Sequence, residues 1–443
     1  MIERAVRNRT LQAITLAAIG FGSFILPSRA ESTALQGAEP LSLRGADALS
    51  LNQAQTIALH QNRDVLEAQL EVEKTEANLK SVITTRFPKL LAIGYAGQQA
   101  APTADGKYHQ NLAILPGVLQ PVTQQYRLGM QVEEATIRKR IALQRLRRTK
   151  QESVASVKRL YLNMLALQSA VAGFEQNFKF LGELVRYVKA EVDKGSALPI
   201  DLLLVQARLA RADFEVDRAK DDLITQGQTL NRLLGRPPQA SIMLTEEPMT
   251  PFTDVSENGT IDDALANRPE LAELKLTVNQ QRLESKIELS RYIPDISVGA
   301  LGSYASHMNP PLPTRLTSIG FLGVWEPWDW GRRIQLSKES ERAMRQSKIK
   351  LLDVTDSVAI SADKARRAIK VAVKEVKAGA LAESSTQEQM RVANRRFKAG
   401  AALLKDVLEA QSAYAKAIAE NVQAKSDFTT VRVDLDEALG RDF

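Results

Sequence analysis

Cysteine is absent from this 443-residue chain, and aromatic residues make up only 5% of it. No disulfide, thiolate metal site, thiol nucleophile or thioether lipid anchor is therefore open to it. Histidine is nearly absent too. His60, His109 and His307 are far apart in sequence, and the latter two are expected in loops that connect strands, as solvated side chains. No glycine-rich phosphate loop and no H-E-x-x-H helix occurs. The eight methionines are scattered and form no soft-metal ladder. Catalysis and cofactors find no support, and no metal is expected. The chain also lacks an apolar run long enough to serve as a transmembrane helix. A membrane role would have to be filled by β-strands.

The amino terminus reads as an export signal. Arg4, Arg7 and Arg9 precede an apolar run from Leu11 to Leu26, and Ser28-Arg29-Ala30 offers a small-x-small cleavage site. Loss of residues 1–30 removes four Arg and one Glu, lowering the net charge from +7 to +4. That excess is spread among carboxylates along helices, a pattern of solvated faces rather than a nucleic-acid footprint.

What is present is a duplication. Residues 195–236 laid over 400–441 without a gap agree at 17 of 42 positions. The matches include Gly195/Gly400, Leu198/Leu403, Asp201/Asp406, Gln206/Gln411 and the closing Leu-Gly-Arg at 234–236 and 439–441. "ALHQNRDVLEA" from Ala58 parallels "ALANRPELAE" from Ala264, and Pro88 parallels Pro294. The organisation expected is a signal peptide (1–30), an N-terminal segment (31–50), a first repeat (51–236), a linker (237–258) and a second repeat (259–443).

Each repeat has one plan. A helix of roughly 35 residues, about 51–86 or 261–292, ends at Pro88 or Pro294, because proline forces its predecessor into extended geometry. A strand follows. In the second half Ile296, Val298, Ala300 and Tyr304 fall on one face, with Ser297, Gly299 and Ser303 on the other. After a Pro- and Gly-rich loop a returning strand ("SIGFLGVW") leads into a very long helix. No proline lies between Pro121 and Pro199, and none follows Pro327. Val154, Val157, Tyr161, Met164, Gln168, Val171, Phe174, Phe178, Leu181, Val185, Val188 and Val192 make a heptad-like seam. Gly195 and Gly400 suit left-handed C-caps that reverse each long helix into an antiparallel partner.

Four strands cannot close a sheet in lipid, so copies of the chain must pool theirs. Two copies give eight strands with a filled interior, whereas three give twelve and leave a channel. Trp325, Trp328 and Trp330 stand together in "WEPWDWGRR", where a strand hands over to the long helix, and read as membrane-interface aromatics.

The duplicated "G…L..D" turns, "NRPEL", "RYIPD" and "EPWDWGRR" together resemble the outer-membrane efflux proteins, or outer-membrane factors, over essentially the whole mature chain. The resemblance implies a mainly α protein with a small β part. It also implies a trimeric channel-tunnel, in which four strands per chain contribute to a 12-stranded transmembrane β-barrel continuous with a long periplasmic α-helical barrel. Its implied partners are two further copies, a periplasmic adaptor (membrane fusion protein), an inner-membrane transporter and outer-membrane lipid, with no nucleic acid. The tip residues Gly195, Leu198, Gly400 and Leu403 would dock the adaptor.

By the same resemblance, Asp201 matches an Asp that locks the closed mouth, while Asp406 and Glu409 match an acidic ring. Phe397 and Ala402 stand where the lock has Tyr and Arg, so its charge-assisted bonds cannot form as described. Lys398 or Lys405 is the available substitute. An acidic ring would favour cations. The plainer reading is that Asp201 and Asp406 cap the second helix of each hairpin. A soluble periplasmic coiled-coil scaffold or adaptor without a pore is the rival reading for the whole chain. An adaptor, however, needs a lipoyl-like β-domain around one hairpin, and this chain has two hairpins and no such domain.

Overall fold

The computed structural model describes residues 48–99, 109–245, 260–306 and 315–441, all within one compact unit, Ala48–Phe443. The signal, most of the N-terminal segment, His307 and most of the two strand-connecting loops and the linker lie outside the described residues. In chain order the elements are α1 (Leu51–Gln61), α2 (Arg63–Thr84), β1 (Lys89–Gln99), β2 (His109–Pro121), α3 (Gln124–Asp193) and α4 (Pro199–Leu233). The second repeat follows with α5 (Ile261–Asn267), α6 (Pro269–Ser290), β3 (Asp295–Ser306), β4 (Arg315–Val324), α7 (Arg332–Lys398) and α8 (Leu404–Ala438). His109 opens β2 rather than lying in a loop.

The single helix expected at the start of each repeat is in fact broken. Asn62 is extended (φ −63°, ψ 130°), and its side chain accepts from the amides of Asp64 and Val65, capping α2. Arg268 takes the same conformation because Pro269 occupies the first position of α6 and disfavours helical geometry before it. Both breaks receive the end of a hairpin. Gly235 sits so close to the α1 terminus that a Cβ there would lie 2.2 Å from the Gln61 carbonyl oxygen. Asn62 Nδ2 donates to the Leu233 carbonyl at 2.9 Å. In the second repeat Gly440 approaches the backbone of Asn267 in the same way.

The sheet has order β1-β2-β3-β4, all antiparallel, and its outer edges have no strand partner among the described residues. Register places Leu90, Val118, Ala300 and Ile319 in one row across all four strands. That face also carries Ile114, Ile296, Val298 and Phe321. Leu90, Ile319 and Phe321 are more than four-fifths exposed, and they lie on the two outer strands. The opposite face mixes Leu91 and Leu301 with Tyr95, Ser297, Ser303 and Ser318. Large apolar side chains left in the open along both free edges are a liability in water.

At 70 residues, α3 runs about 105 Å at 1.5 Å per residue. It packs along α2 and α4 from its own repeat and along α6 and α8 from the other. Of the expected seam, Val154, Val157, Tyr161, Met164, Leu181 and Val188 are buried, whereas Gln168 is exposed. Ala170, Asn177 and Leu184 are buried instead, because a 3.6-residue helix drifts off a strict heptad. Tyr161 is fully buried, and its hydroxyl bonds the carbonyls of Leu49 and Thr245 at 2.8 and 2.9 Å. It thereby fixes the parallel bridge between Leu49 and Leu244 against the long helix.

Candidate functional site

Both tips are built alike. The α3 terminus closes through Gly195 (φ 76°), with Ser196 N–H donating to Glu191 at 2.9 Å, and α7 closes through Gly400 (φ 71°), with Ala401 N–H donating to Arg396 at 2.8 Å. These are six-to-one caps that need a residue free to adopt positive φ. Leu198 and Leu403 then start the returning helices in extended geometry. Both leucines are about two-thirds exposed, and Ile200, Leu203 and Leu204 extend the apolar surface of the first tip.

Asp201 accepts the Leu198 amide at 3.2 Å and Asp406 the Leu403 amide at 3.0 Å. The expected capping role is thus present, though from the third helical position rather than the first, and it leaves each carboxylate one oxygen for other partners. Glu409 pairs with Lys405 one turn away at 3.6 Å, so Lys405 is engaged on its own helix rather than with Asp201. Lys398 is exposed in the last turn of α7, where a cation favours the helix dipole. Phe397 meets Tyr187 of α3 edge to face, with centroids 5.7 Å apart. It joins an apolar cluster in which Leu404, Val407 and Leu408 of α8 pack against Leu181, Leu184 and Val188 of α3. Ala402 and Asp406 line an open groove of about 620 Å³ on the second hairpin, near its tip.

Near the tips, Glu191 hydrogen-bonds Lys194 and raises its pKa, while Arg391 holds the Glu388 carboxyl below its ordinary value by a hydrogen bond. Among the described residues no group of three or more His, Asp or Glu could hold a metal ion. No described helix is long and apolar enough to cross a membrane.

The strand-to-helix junction is a second organised region. Trp325, Trp328 and Trp330 are 61%, 71% and 89% exposed. Trp330 adopts φ 55°, followed by Gly331 at 80°. This sharp turn is held from beneath by a side chain the sequence reading did not single out. Arg333 is buried, bonds the Glu326 carbonyl at 3.0 Å and its carboxylate at 2.6 Å, and lies 5.2 Å from the Tyr292 ring centre. Asp329 accepts from the amides of Gly331 and Arg333. Asp329 and Arg333 thus knot the turn at Trp330 and Gly331, next to which Trp325 and Trp328 are also exposed.

A second pair also escaped the sequence reading. Asn177 and Gln411, both buried, join across α3 and α8 at 2.9 Å. The available signal was the Gln206/Gln411 identity in the repeat.

Two long helical hairpins carrying one small four-stranded sheet define a duplicated, mainly α class of fold. The chain belongs to the outer membrane efflux protein family, whose model matches residues 56–236 and 260–441. It is 25% identical over 308 residues to the outer membrane efflux protein BepC of Brucella suis, covering 67% of this chain and 65% of that one. To the alkaline protease secretion protein AprF of Pseudomonas aeruginosa it is 23% identical over 298 residues, covering 65% and 61%. The chain thus spans somewhat less than two thirds of the length of these relatives. Its fold is shared with the outer membrane channel CmeC of Campylobacter jejuni, at TM-score 0.76 and 16% identity over 88% of this chain and 85% of that one. Family membership places the chain in the outer membrane of a Gram-negative-type cell, with a large periplasmic part.

Proposed function

We propose that the chain is the outer-membrane channel of a tripartite efflux or type I secretion system, a passive conduit without chemistry of its own. The sheet carries this reading. Four strands of 10–13 residues suit a bilayer span, yet both outer edges are left unpaired among the described residues. In lipid every such edge has to be satisfied. Three copies joined β4 to β1 close twelve strands, turning the Leu90–Ile319–Phe321 face to the acyl chains and the serine-bearing face to the lumen. Trp325, Trp328 and Trp330 then sit at the periplasmic boundary of the bilayer.

The hairpins extend the ring into a periplasmic helical barrel. Its exposed tip leucines, Leu198 and Leu403, meet a periplasmic adaptor coupled to an inner-membrane transporter. Asp201, Asp406, Glu409 and Phe397 line the narrow end, where Phe397 contributes packing rather than a hydroxyl to closure. A soluble scaffold would leave the apolar strand face in water, which disfavours that alternative. Fractionation tests the reading: the protein should require detergent, behave as a trimer by light scattering and conduct ions in planar bilayers. Recovery from the soluble periplasmic extract would refute it.

A further inference from the structure

A cleft of about 560 Å³ lies beside the break at Asn62, lined by α2, α3 and Leu233 at the end of the first hairpin. Its floor is buried: Asn62, Ala142 and Ser153 are 2%, 4% and 7% exposed. The Ser153 Oγ has no hydrogen-bond partner, which is uncommon for a buried hydroxyl. Asp64 and Glu67 of α2 line the exposed side, and neither has an ion-pair partner among the described residues. The other charged groups of the lining are engaged. Glu71 holds Lys74 at 3.0 Å, Glu152 holds Arg148 at 2.7 Å, and Arg145 is held by Glu273 of α6 at 2.8 Å.

The second repeat shows what such a place accommodates. Helices α2 and α6 are both 22 residues long and start one residue after their breaks, so Asn62 corresponds to Arg268 and Asp64 to Glu270. Along α3 and α7 the 205-residue offset of the tips pairs Thr149 with Val354, Ser153 with Val358 and Ser156 with Ser361. Burial supports this pairing, since Val65 and Leu271 are both buried, as are Val157 and Ala362. In the second repeat the Arg268 guanidinium donates to Glu270 at 3.4 Å and to the Ser361 hydroxyl at 3.5 Å, with its side chain 15% exposed. It thereby bridges α6 to α7.

The first repeat keeps both acceptors, Asp64 and Ser156, in the lining of its cleft. Its own chain brings no guanidinium to them. Asn62 is too short, and its amide is committed to the Leu233 carbonyl and to the amides of Asp64 and Val65. The apolar filling differs as well. Val354 and Val358 pack in one cluster with Leu271, whereas Thr149 and Ser153 put hydroxyls into the cleft. A guanidinium carries five N–H donors in one plane and needs acceptors of this kind around it.

We propose that this cleft binds a free alkylguanidinium cation. Its head group lies between Asp64 and Ser156, as Arg268 lies between Glu270 and Ser361, and Thr149 and Ser153 supply further acceptors. Glu67 receives a second, amine charge at the other end of the ligand. Bound there, the ligand ties α2 to α3 as Arg268 ties α6 to α7, and so stabilises the fold by mass action. This goes beyond a conduit reading, because it gives the chain a ligand of its own.

The test uses the full-length protein in detergent. Agmatine, a guanidinium and an ammonium on one short alkyl chain, is titrated in by calorimetry, and putrescine, with ammonium groups alone, is the comparator. One agmatine per chain, bound about tenfold tighter than putrescine, and a melting temperature that climbs with agmatine concentration support the proposal. Asp64→Asn should weaken agmatine by about tenfold. Ser153→Val, which copies the residue of the second repeat, should also weaken it several-fold while helix ellipticity reports an intact fold. No saturable heat up to millimolar agmatine overturns the site. Equal affinity in both variants and the parent overturns it too, and marks loose attraction to exposed carboxylates. Putrescine binding as tightly as agmatine overturns the guanidinium assignment.

Discussion

Gly195 and Gly235 offer a matched experiment, because they share backbone conformation and differ only in surroundings. Their φ values are 76° and 70°, and each ends a helix. At Gly195 an added Cβ meets nothing within 4 Å; at Gly235 it would lie 2.2 Å from the Gln61 carbonyl oxygen and 3.2 Å from Gln61 Cβ. Gly195→Ala should cost only the left-handed penalty, about 1–2 kcal/mol. Gly235→Ala adds a displacement of about 1 Å between α1 and the hairpin end, with strain of about 1–3 kcal/mol as for overpacking. It also threatens the 2.9 Å bond from Asn62 to Leu233, worth about 1 kcal/mol. The sum is about 3–6 kcal/mol. With an unfolding entropy of about 2 cal/mol/K per residue over some 400 residues, the melting shifts are about 1–3 °C at Gly195 and about 4–8 °C at Gly235. Helix ellipticity followed on heating in detergent measures both. Equal shifts, or a silent Gly235→Ala, would refute the claim that the hairpin end is clamped onto the break at Asn62.

The Asn177–Gln411 bond should behave as a buried pair: Asn177→Leu or Gln411→Leu alone should each destabilise by about 1–3 kcal/mol, and the double variant by clearly less than the sum, read by the same melts. Glu284 has its pKa raised, first by burial and then by the charge of Glu134, with Arg138 opposing. A raised carboxyl pKa means the folded state holds the proton more tightly, so its contribution is fully present below the unfolded value of 4.5 and is lost as pH rises through the folded value. Glu284→Gln should therefore raise the melting temperature at pH 8 and leave it unchanged at pH 4. Asp406→Asn keeps an acceptor for the Leu403 amide but removes the charge, so it should spare stability while lowering cation selectivity; an unchanged reversal potential would remove Asp406 from the conducting mouth.

Much of the architecture was legible because it was written twice. The 205-residue repeat located both tip glycines, and Pro88 and Pro294 marked the entries to the strands. The breaks at Asn62 and Arg268 were hidden because a single extended residue barely disturbs the apolar periodicity on either side. Pro269 was nevertheless a signal for the second break, acting on the residue before it. The drift at Gln168 and Ala170 came from imposing a seven-residue count on a 3.6-residue helix. Asp201 and Asp406 were legible as caps, but the knot at Arg333 was not, since an arginine in a basic doublet gives no hint that it will be buried beneath a turn.

The length of α3 has a consequence of its own. Because α3, α4, α7 and α8 are fastened to one another at the breaks, along their flanks and near their tips, no one of them can be lengthened alone without dragging its neighbours out of step. An inserted turn has to arrive in all four together, so the reach of the two hairpins is a shared dimension, and both tips end at a height fixed by the same packing.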